Sequence, residues 1–362
     1  MTAPGIPWDD NAFRVAIQET LDAFIDEQAA RLGPLGPDAG RLLAEARSAA
    51  TGGKRFRAAF CYWGYRAVQD PGGHEPALLR AAAALELLHA SALVHDDYMD
   101  SSDVRRGRPA SHRSFETTHR DNAWDGHPEQ YGAAGAILLG DLLLSWSDQL
   151  LRTCGLGPDV VRDALEFFDA ARTEVITGQF LDVSSQARGD SDPETAMRVL
   201  RYKSAKYSIE RPLHIGATLA GAGAELRSAL TDFGLPLGEA FQLRDDLLGV
   251  FGDPEVTGKP AGDDLREGKR TVLVALSLST AAAPEASLLE GALGRTRSPS
   301  LSGSEVGLLQ RVITDSGAPA AVEKLIAELT DRSLEALGTA PVTEPARAVL
   351  GELASAATQR VL

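Results

Sequence analysis

From Asp10 to Arg31 apolar residues recur at helical spacing, with Phe13, Ile17, Leu21 and Phe24 on one face. Gly33-Pro34-Leu35-Gly36-Pro37 ends that helix. Helical patterns follow over 38–50, 56–69, 75–101, 132–153, 158–184, 193–221, 224–251 and 268–281, and weaker ones over 284–294, 304–316, 318–337 and 343–361. Alternating strand-like runs are almost absent, so the pattern predicts an all-α fold of helices packed on helices. Three segments read as loops: 102–131, rich in Arg, His, Gly and Pro; 252–267, punctuated by Pro and Gly; and 295–303, small and polar. Residues 1–8 read as a loose tail, which leaves 9–362 as one helical domain. No fixed-period repeat is present.

Composition supports this picture. Hydrophobic residues make up 44% of the 362 positions, enough for a large core, and aromatic residues only 6%. Ala and Leu dominate, and both enter helices at little entropic cost. The formal net charge of −15 argues against nucleic acid as a partner. It also makes two basic clusters conspicuous, Lys54-Arg55-Phe56-Arg57 and Arg105-Arg106-Gly107-Arg108. The two cysteines, Cys61 and Cys154, have no partner spacing, so neither a disulfide scaffold nor a thiolate metal site is expected. A reducing, cytoplasmic setting fits, with no signal peptide. No membrane span is expected: the longest apolar candidate, 133–146, is cut by Asp141.

Candidate chemistry begins at Leu85–Asp100. Helical spacing puts His89, Ala92, Asp96 and Asp100 on one stripe. Two hard carboxylates there suit Mg²⁺, which takes few protein ligands and fills its shell with water and substrate phosphate. A solvated acidic helix end is the competing reading, although acidic groups at a helix C-terminus oppose the dipole. A calcium loop starting at Asp96 fails, because its third, sixth and twelfth places hold Tyr98, Ser101 and Gly107. Arg105, Arg106 and Arg108 follow at once; they could neutralise the aspartates or grip phosphate bidentately.

A second cluster repeats this logic. Gln242, Asp245 and Asp246 share a helix face, and Lys259, Asp263, Asp264, Lys269 and Arg270 lie downstream. Together the two clusters imply helices facing each other across one diphosphate. Gly52-Gly53 before Lys54-Arg55 opens a helix whose N-terminus favours anions, though taken alone ordinary surface charge is the favoured reading. Lys203, Ser204 and Tyr207 offer a cation and hydroxyls. Gln179 and Asp182 share a face, either as functional groups or as a polar edge. Asp141, His95 and His214 read as structural.

As a set, Asp96-Asp97-Tyr98-Met99-Asp100 with Arg105-Arg106-Gly107, and Phe241-Gln242 with Asp245-Asp246, resemble the trans-prenyltransferase (polyprenyl synthetase) family from about Gly52 to Thr271. The resemblance implies a single-domain antiparallel helical bundle of the isoprenoid synthase type around a deep central cavity, usually a homodimer. It implies condensation of isopentenyl diphosphate with an allylic diphosphate (dimethylallyl, geranyl or farnesyl) to a linear all-trans prenyl diphosphate. Three Mg²⁺ would be held, by Asp96 and Asp100 on one side and Asp245 on the other, with Asp97 completing the first motif. Arg105, Lys203 and Lys259 would grip the allylic diphosphate, assisted by Ser204 and Gln242, with Lys269 as an extra cation. Lys54, Arg55, His89 and Arg106 would bind isopentenyl diphosphate, and Arg57 keeps the family's charge. One departure stands out: the family's second motif often ends in a third Asp, and that place is Gly249, where water is expected to substitute for the carboxylate.

The prenyl tail should run from Asp96 towards the N-terminus of its helix. Ser91, five residues back, lies about 7.5 Å along the axis; Ala92 lies four back and Leu88 another turn down. In the resembling family bulky aromatics at the first two places stop growth at fifteen carbons. Here both are small, which favours the C20 product, geranylgeranyl diphosphate, over farnesyl or longer polyprenyl diphosphates. Two rivals fit less well. A class I terpene cyclase needs no second diphosphate site, and an inactive partner subunit would have lost more than the single carboxylate at Gly249.

Overall fold

The computed structural model describes residues 10–253, 261–293 and 301–359. Lys259, the 1–8 tail and most of the 295–303 segment lie outside the described residues. The chain divides into two compact units: 1–167 with 212–223 and 342–349, and 168–211 with 224–341 and 350–362.

The first unit is built from α1 (Asp10–Leu32), α2 (Pro37–Ala50), α3 (Phe56–Arg66), α4 (Glu75–Met99), α5 (Ser111–Asp121) and α6 (Pro128–Arg152). It also holds the first part of α7 (Pro158–Arg188) and most of α9 (Arg211–Leu219). Its centre is α4. Leu78, Ala81–Ala84, Leu85, Leu87 and Leu88 are all buried, against α6, α3 and the Phe13–Ile17–Leu21–Phe24 face of α1. The long apolar stretch is therefore α4 and not 133–146. Among the described residues, 72–99 alone is long and apolar enough to cross a membrane, and 67% of its most apolar window is buried inside the protein. Arg80, Glu86 and His89 interrupt its apolar pattern in the sequence, and Glu86 is held by an ion pair in the interior.

The expected loop over 102–131 is corrected. It opens with a short antiparallel hairpin, β1 (Val104–Arg105) against β2 (Arg108–Pro109), and continues into α5. Periodicity missed α5 because its inward face is mostly polar: His112, Glu116 and His119 are buried beside Phe115. Glu116 is neutralised by Arg113 and Arg120. The helix lies flat on α6, where Gly135 leaves room for the Phe115 ring; a Cβ there would stand 2.6 Å from the ring's Cγ. His119, Trp124 and Tyr131 close the end of the segment, with Trp124 and Tyr131 ring centroids 5.3 Å apart.

The second unit contains the rest of α7, α8 (Pro193–Leu200), a π-helix (Arg201–Glu210) and α10 (Ala224–Phe251). It continues through α11 (Asp263–Glu267), α12 (Val272–Thr280), α13 (Ala283–Leu293), α14 (Gly303–Asp315) and α15 (Ala318–Thr339), with the end of α16 (Glu344–Thr358). Its apolar core runs through Leu243, Leu247 and Val250 of α10 to Leu273, Leu289, Leu309, Val322 and Ile326. The predicted continuous helix over 193–221 is thus α8, the π-helix and α9 in succession. The wide π turn is wedged between α7 and α10 at two glycines. A Cβ on Gly178 would stand 2.6 Å from the carbonyl carbon of Tyr202, and one on Gly238 would stand 2.5 Å from the carbonyl oxygen of Ala205. Ion pairs pin its ends: Arg201 to Glu239 (2.6 Å), and Lys206 and Arg211 to Glu174 (3.0 and 2.6 Å). Burial alone would raise the Glu174 carboxyl, but those two cations hold its pKa below the ordinary value.

Gly238→Ala tests the wedge. In a free helix the change stabilises by up to ~1 kcal/mol. Here the added methyl must push the π-helix off α10, so urea denaturation should instead show a loss of about 1–3 kcal/mol.

Candidate active site

In the first unit the candidate residues gather at the C-terminal end of α4. Asp100 is the residue that ends the helix, its N–H donating to the Asp96 carbonyl at 2.8 Å. The aspartates do not all face the same way. Asp97 is buried and bonded through both oxygens by Arg105, whose Nε lies 2.8 Å from one of them. Asp96 and Asp100 are only partly buried. Arg105, expected on a diphosphate, is therefore engaged with Asp97 through the hairpin that carries it.

The neighbouring cations sort themselves just as sharply. Arg55, expected on isopentenyl diphosphate, is 4% exposed and faces the interior. Its guanidinium meets Glu86 at 3.1 Å, Gln18 at 2.7 Å and the Ala50 carbonyl at 2.7 Å. Its backbone is left-handed, φ 54°. Lys54 on one side is exposed, and Arg57 on the other is partly buried. Arg106 reaches the Thr51 carbonyl at 2.6 Å by passing over Gly53, where a Cβ would stand 2.9 Å from its Nη2. His89 sits where burial, then Arg57, Arg106, Arg105 and Arg55, hold its pKa well below the ordinary value. Arg57, not singled out by the sequence as a ligand, is thus the foremost charge acting on His89. The spacing Lys54-x-x-Arg57, one helical turn, was the signal available for it.

Further back on α4, Ala92 is partly buried on the stripe of Asp96, whereas Leu88 and Ser91 are buried. The Ser91 hydroxyl donates to the Gly140 carbonyl at 2.8 Å, so it ties α4 to α6. Next to it His95 Nε2 lies 3.1 Å from the Ile137 carbonyl and 3.7 Å from Asp141, the structural role expected for both.

In the second unit the π-helix and α10 supply the remaining groups. Lys203 meets Asp182 of α7 at 2.6 Å. Asp182 is buried, so it belongs to this polar group and is no mere helix edge. Ser204 donates to Gln242, whose amide donates to Asp246 at 2.9 Å. The second Asp pair divides as the first does. Asp246 is buried and Asp245 is exposed. Burial, then the charges of Asp264 and Asp245, raise the Asp246 pKa well above the ordinary value, against the pull of Gln242 and Lys269. Lys269 lies between Glu267 (2.5 Å) and Asp264 (3.7 Å). The space at Gly249, expected to hold water, is taken by the Asp264 carboxylate, whose Cγ would stand 2.5 Å from a Cβ at 249.

Asp96 and Asp100 in the first unit, and separately Asp245 in the second, offer only hard oxygen donors, the kind that fit a small divalent cation that keeps water and phosphate in its shell. Among the described residues no three His, Cys, Asp or Glu side chains converge as a closed metal cage.

The sequence model of the polyprenyl synthetase family matches residues 41–302. The geranylfarnesyl diphosphate synthase of Aeropyrum pernix is 33% identical over 73% of this chain and 76% of that protein. The (2E,6E)-farnesyl diphosphate synthase of Mycobacterium tuberculosis is 32% identical over 73% of this chain and 68% of its own. Among solved structures, a geranylgeranyl pyrophosphate synthase from Corynebacterium glutamicum, complexed with isoprenyl diphosphate and magnesium, is 40% identical with a TM-score of 0.93. It covers 98% of this chain and 100% of that one.

Two measurements check the geometry. Arg55→Met leaves the Glu86 carboxylate buried without its cation and should destabilise the fold by about 3–5 kcal/mol; Arg57→Met should change the melting temperature far less. The unfolded chain takes up a proton that folded His89 refuses, so stability should fall as pH drops through about 6.5. In His89→Gln the stability–pH curve should be flatter over that window.

Proposed function

This chain belongs to the polyprenyl synthetase family and is a trans-prenyltransferase, and from that premise we propose that it condenses isopentenyl diphosphate with allylic diphosphates to geranylgeranyl diphosphate. The single observation that carries the C20 reading is the small pair Ser91 and Ala92 behind Asp96. The 40% identity to a geranylgeranyl pyrophosphate synthase over nearly the whole chain supports it.

In this reading Asp96 and Asp100 hold two Mg²⁺ and Asp245 a third. Bound there, magnesium supplies the positive charge that makes the allylic diphosphate a good leaving group. Lys203 and Arg105, which sit on Asp182 and Asp97 at rest, add positive charge around the same diphosphate, with Lys269 beyond them. Ser204 and Gln242 hand hydrogen bonds along the π-helix and α10 and fix the orientation of that end. Lys54, Arg57 and Arg106 hold isopentenyl diphosphate, with neutral His89 as a hydrogen-bonding partner. Arg55 acts from behind by fixing the loop through Glu86 and Gln18. Held in this way, the isopentenyl double bond forms its new C–C bond as the allylic C–O bond breaks. A proton is then lost to the departing diphosphate.

A homodimer is part of the proposal. Ile176, Phe180 and Val183 form a stripe on α7, and Phe180 is 70% exposed. Ile137 and Leu138 are likewise exposed on α6. Apolar helix faces of this kind fit a second copy of the chain.

Purified protein given Mg²⁺, isopentenyl diphosphate and farnesyl diphosphate should yield a C20 diphosphate by mass; a product stopping at fifteen carbons or running past twenty sinks the C20 reading. Asp96→Ala and Asp245→Ala should each lower turnover by at least ~100-fold. Ala92→Phe should shorten the product, and Phe180→Glu should shift sedimentation from dimer to monomer.

A further inference from the structure

Position 249 lies four residues after Asp245 and three after Asp246, on the helical face those residues define. A third aspartate of the motif would project from there. Instead Gly249 leaves a gap, and the carboxylate of Asp264 fills it. Against a Cβ built at 249, Asp264 Cγ would lie 2.5 Å away and Oδ1 3.0 Å. The acid delivered from α11 thus lies where the first atoms of a residue-249 side chain would stand.

The delivery is a fixed one. Helix α11 is bracketed by Gly262 and Gly268, both left-handed with φ 71°, so it is a single tight turn. The Lys269 N–H donates to the Asp264 carbonyl at 2.9 Å, and the Lys269 ammonium stands 3.7 Å from Oδ1. Asp264 and Asp245 both act on the buried Asp246, which places all three carboxylates in one electrostatic neighbourhood.

We propose that residues 249 and 264 form an either-or pair, in which Asp264 supplies from α11 the carboxylate that the helix itself lacks at Gly249. This rests on the function proposed above, because the acid would act on the hydrated magnesium–diphosphate cluster beside Asp245. It would do so as a positioning residue, accepting hydrogen bonds from metal-bound water. The pairing also predicts that an added side chain at 249 is harmful while Asp264 is present and helpful when it is gone.

Isothermal titration of inorganic pyrophosphate in the presence of Mg²⁺ tests this on the full chain, with melting temperatures taken in metal-free buffer. Asp264→Asn should weaken pyrophosphate binding about tenfold or more with little change in melting temperature. Gly249→Ala, which evicts the carboxylate, should weaken it similarly. Gly249→Asp combined with Asp264→Ala should bind distinctly more tightly than Asp264→Ala alone. Wild-type affinity in Asp264→Asn, or a double variant that melts normally yet binds no better than Asp264→Ala, overturns the pairing. Wild-type condensation is assayed separately: its absence overturns the function, and the pairing with it, whereas normal condensation with an indifferent Asp264 overturns the pairing alone.

Discussion

A carboxylate taken out of water has to be matched by a cation or give up its charge. In a chain with a net charge of −15, that requirement governs where the acidic residues of the candidate site lie. Asp97 lies against Arg105, Glu86 against Arg55, Asp182 against Lys203, and Asp264 near Lys269. Each twin aspartate motif divides into a buried member that is built into the fold and a more accessible one. Asp97 and Asp246 are the buried members; Asp96 and Asp245 are the accessible ones. In both pairs it is the first member that stays within reach of solvent.

Most of the helices were legible because their apolar stripes are long and regular. α10 was expected over 224–251 and spans Ala224–Phe251. α5 was not, since its inward face is made of His112, Glu116 and His119, polar groups that become core only once Arg113, Arg120 and α6 are in place. The π-helix was also invisible. An extra residue per turn leaves no mark in composition, and its causes lie far away in sequence, at Gly178 and Gly238. The aspartate motifs stood out as candidate metal sites only as a pair, since either one alone also reads as a solvated acidic helix end. The roles of Arg55 and Arg57 could not be told apart, because adjacent basic residues look alike until the backbone shows which one turns inward. Gly249 shows the same limit: its missing side chain was plain, but the residue filling the gap comes from another helix.

The π-helix places Lys203 and Ser204 by contacts on both sides. Gly178 lets α7 approach Tyr202 and Lys203, while Gly238 lets α10 approach Ala205, so the segment is clamped at the level of its main chain. Side-chain ion pairs to Glu174 and Glu239 then fix its ends. The backbone beneath Lys203 and Ser204 is thus fixed by its neighbours as well as by its own turns.

Arg55 ties the loop ahead of α3 to a helix that lies outside the stretch matched by the family's sequence model. The matched segment begins at residue 41, yet the guanidinium is bound by Gln18 of α1, and Phe13, Ile17, Leu21 and Phe24 of that helix are core residues. The bounds of the family's sequence model are therefore not the bounds of the packed core. A fragment trimmed to residues 41–302 would expose the underside of α4 and leave a buried guanidinium short of a hydrogen-bond acceptor, so anyone preparing a minimal version of this enzyme has to keep the first helix with it.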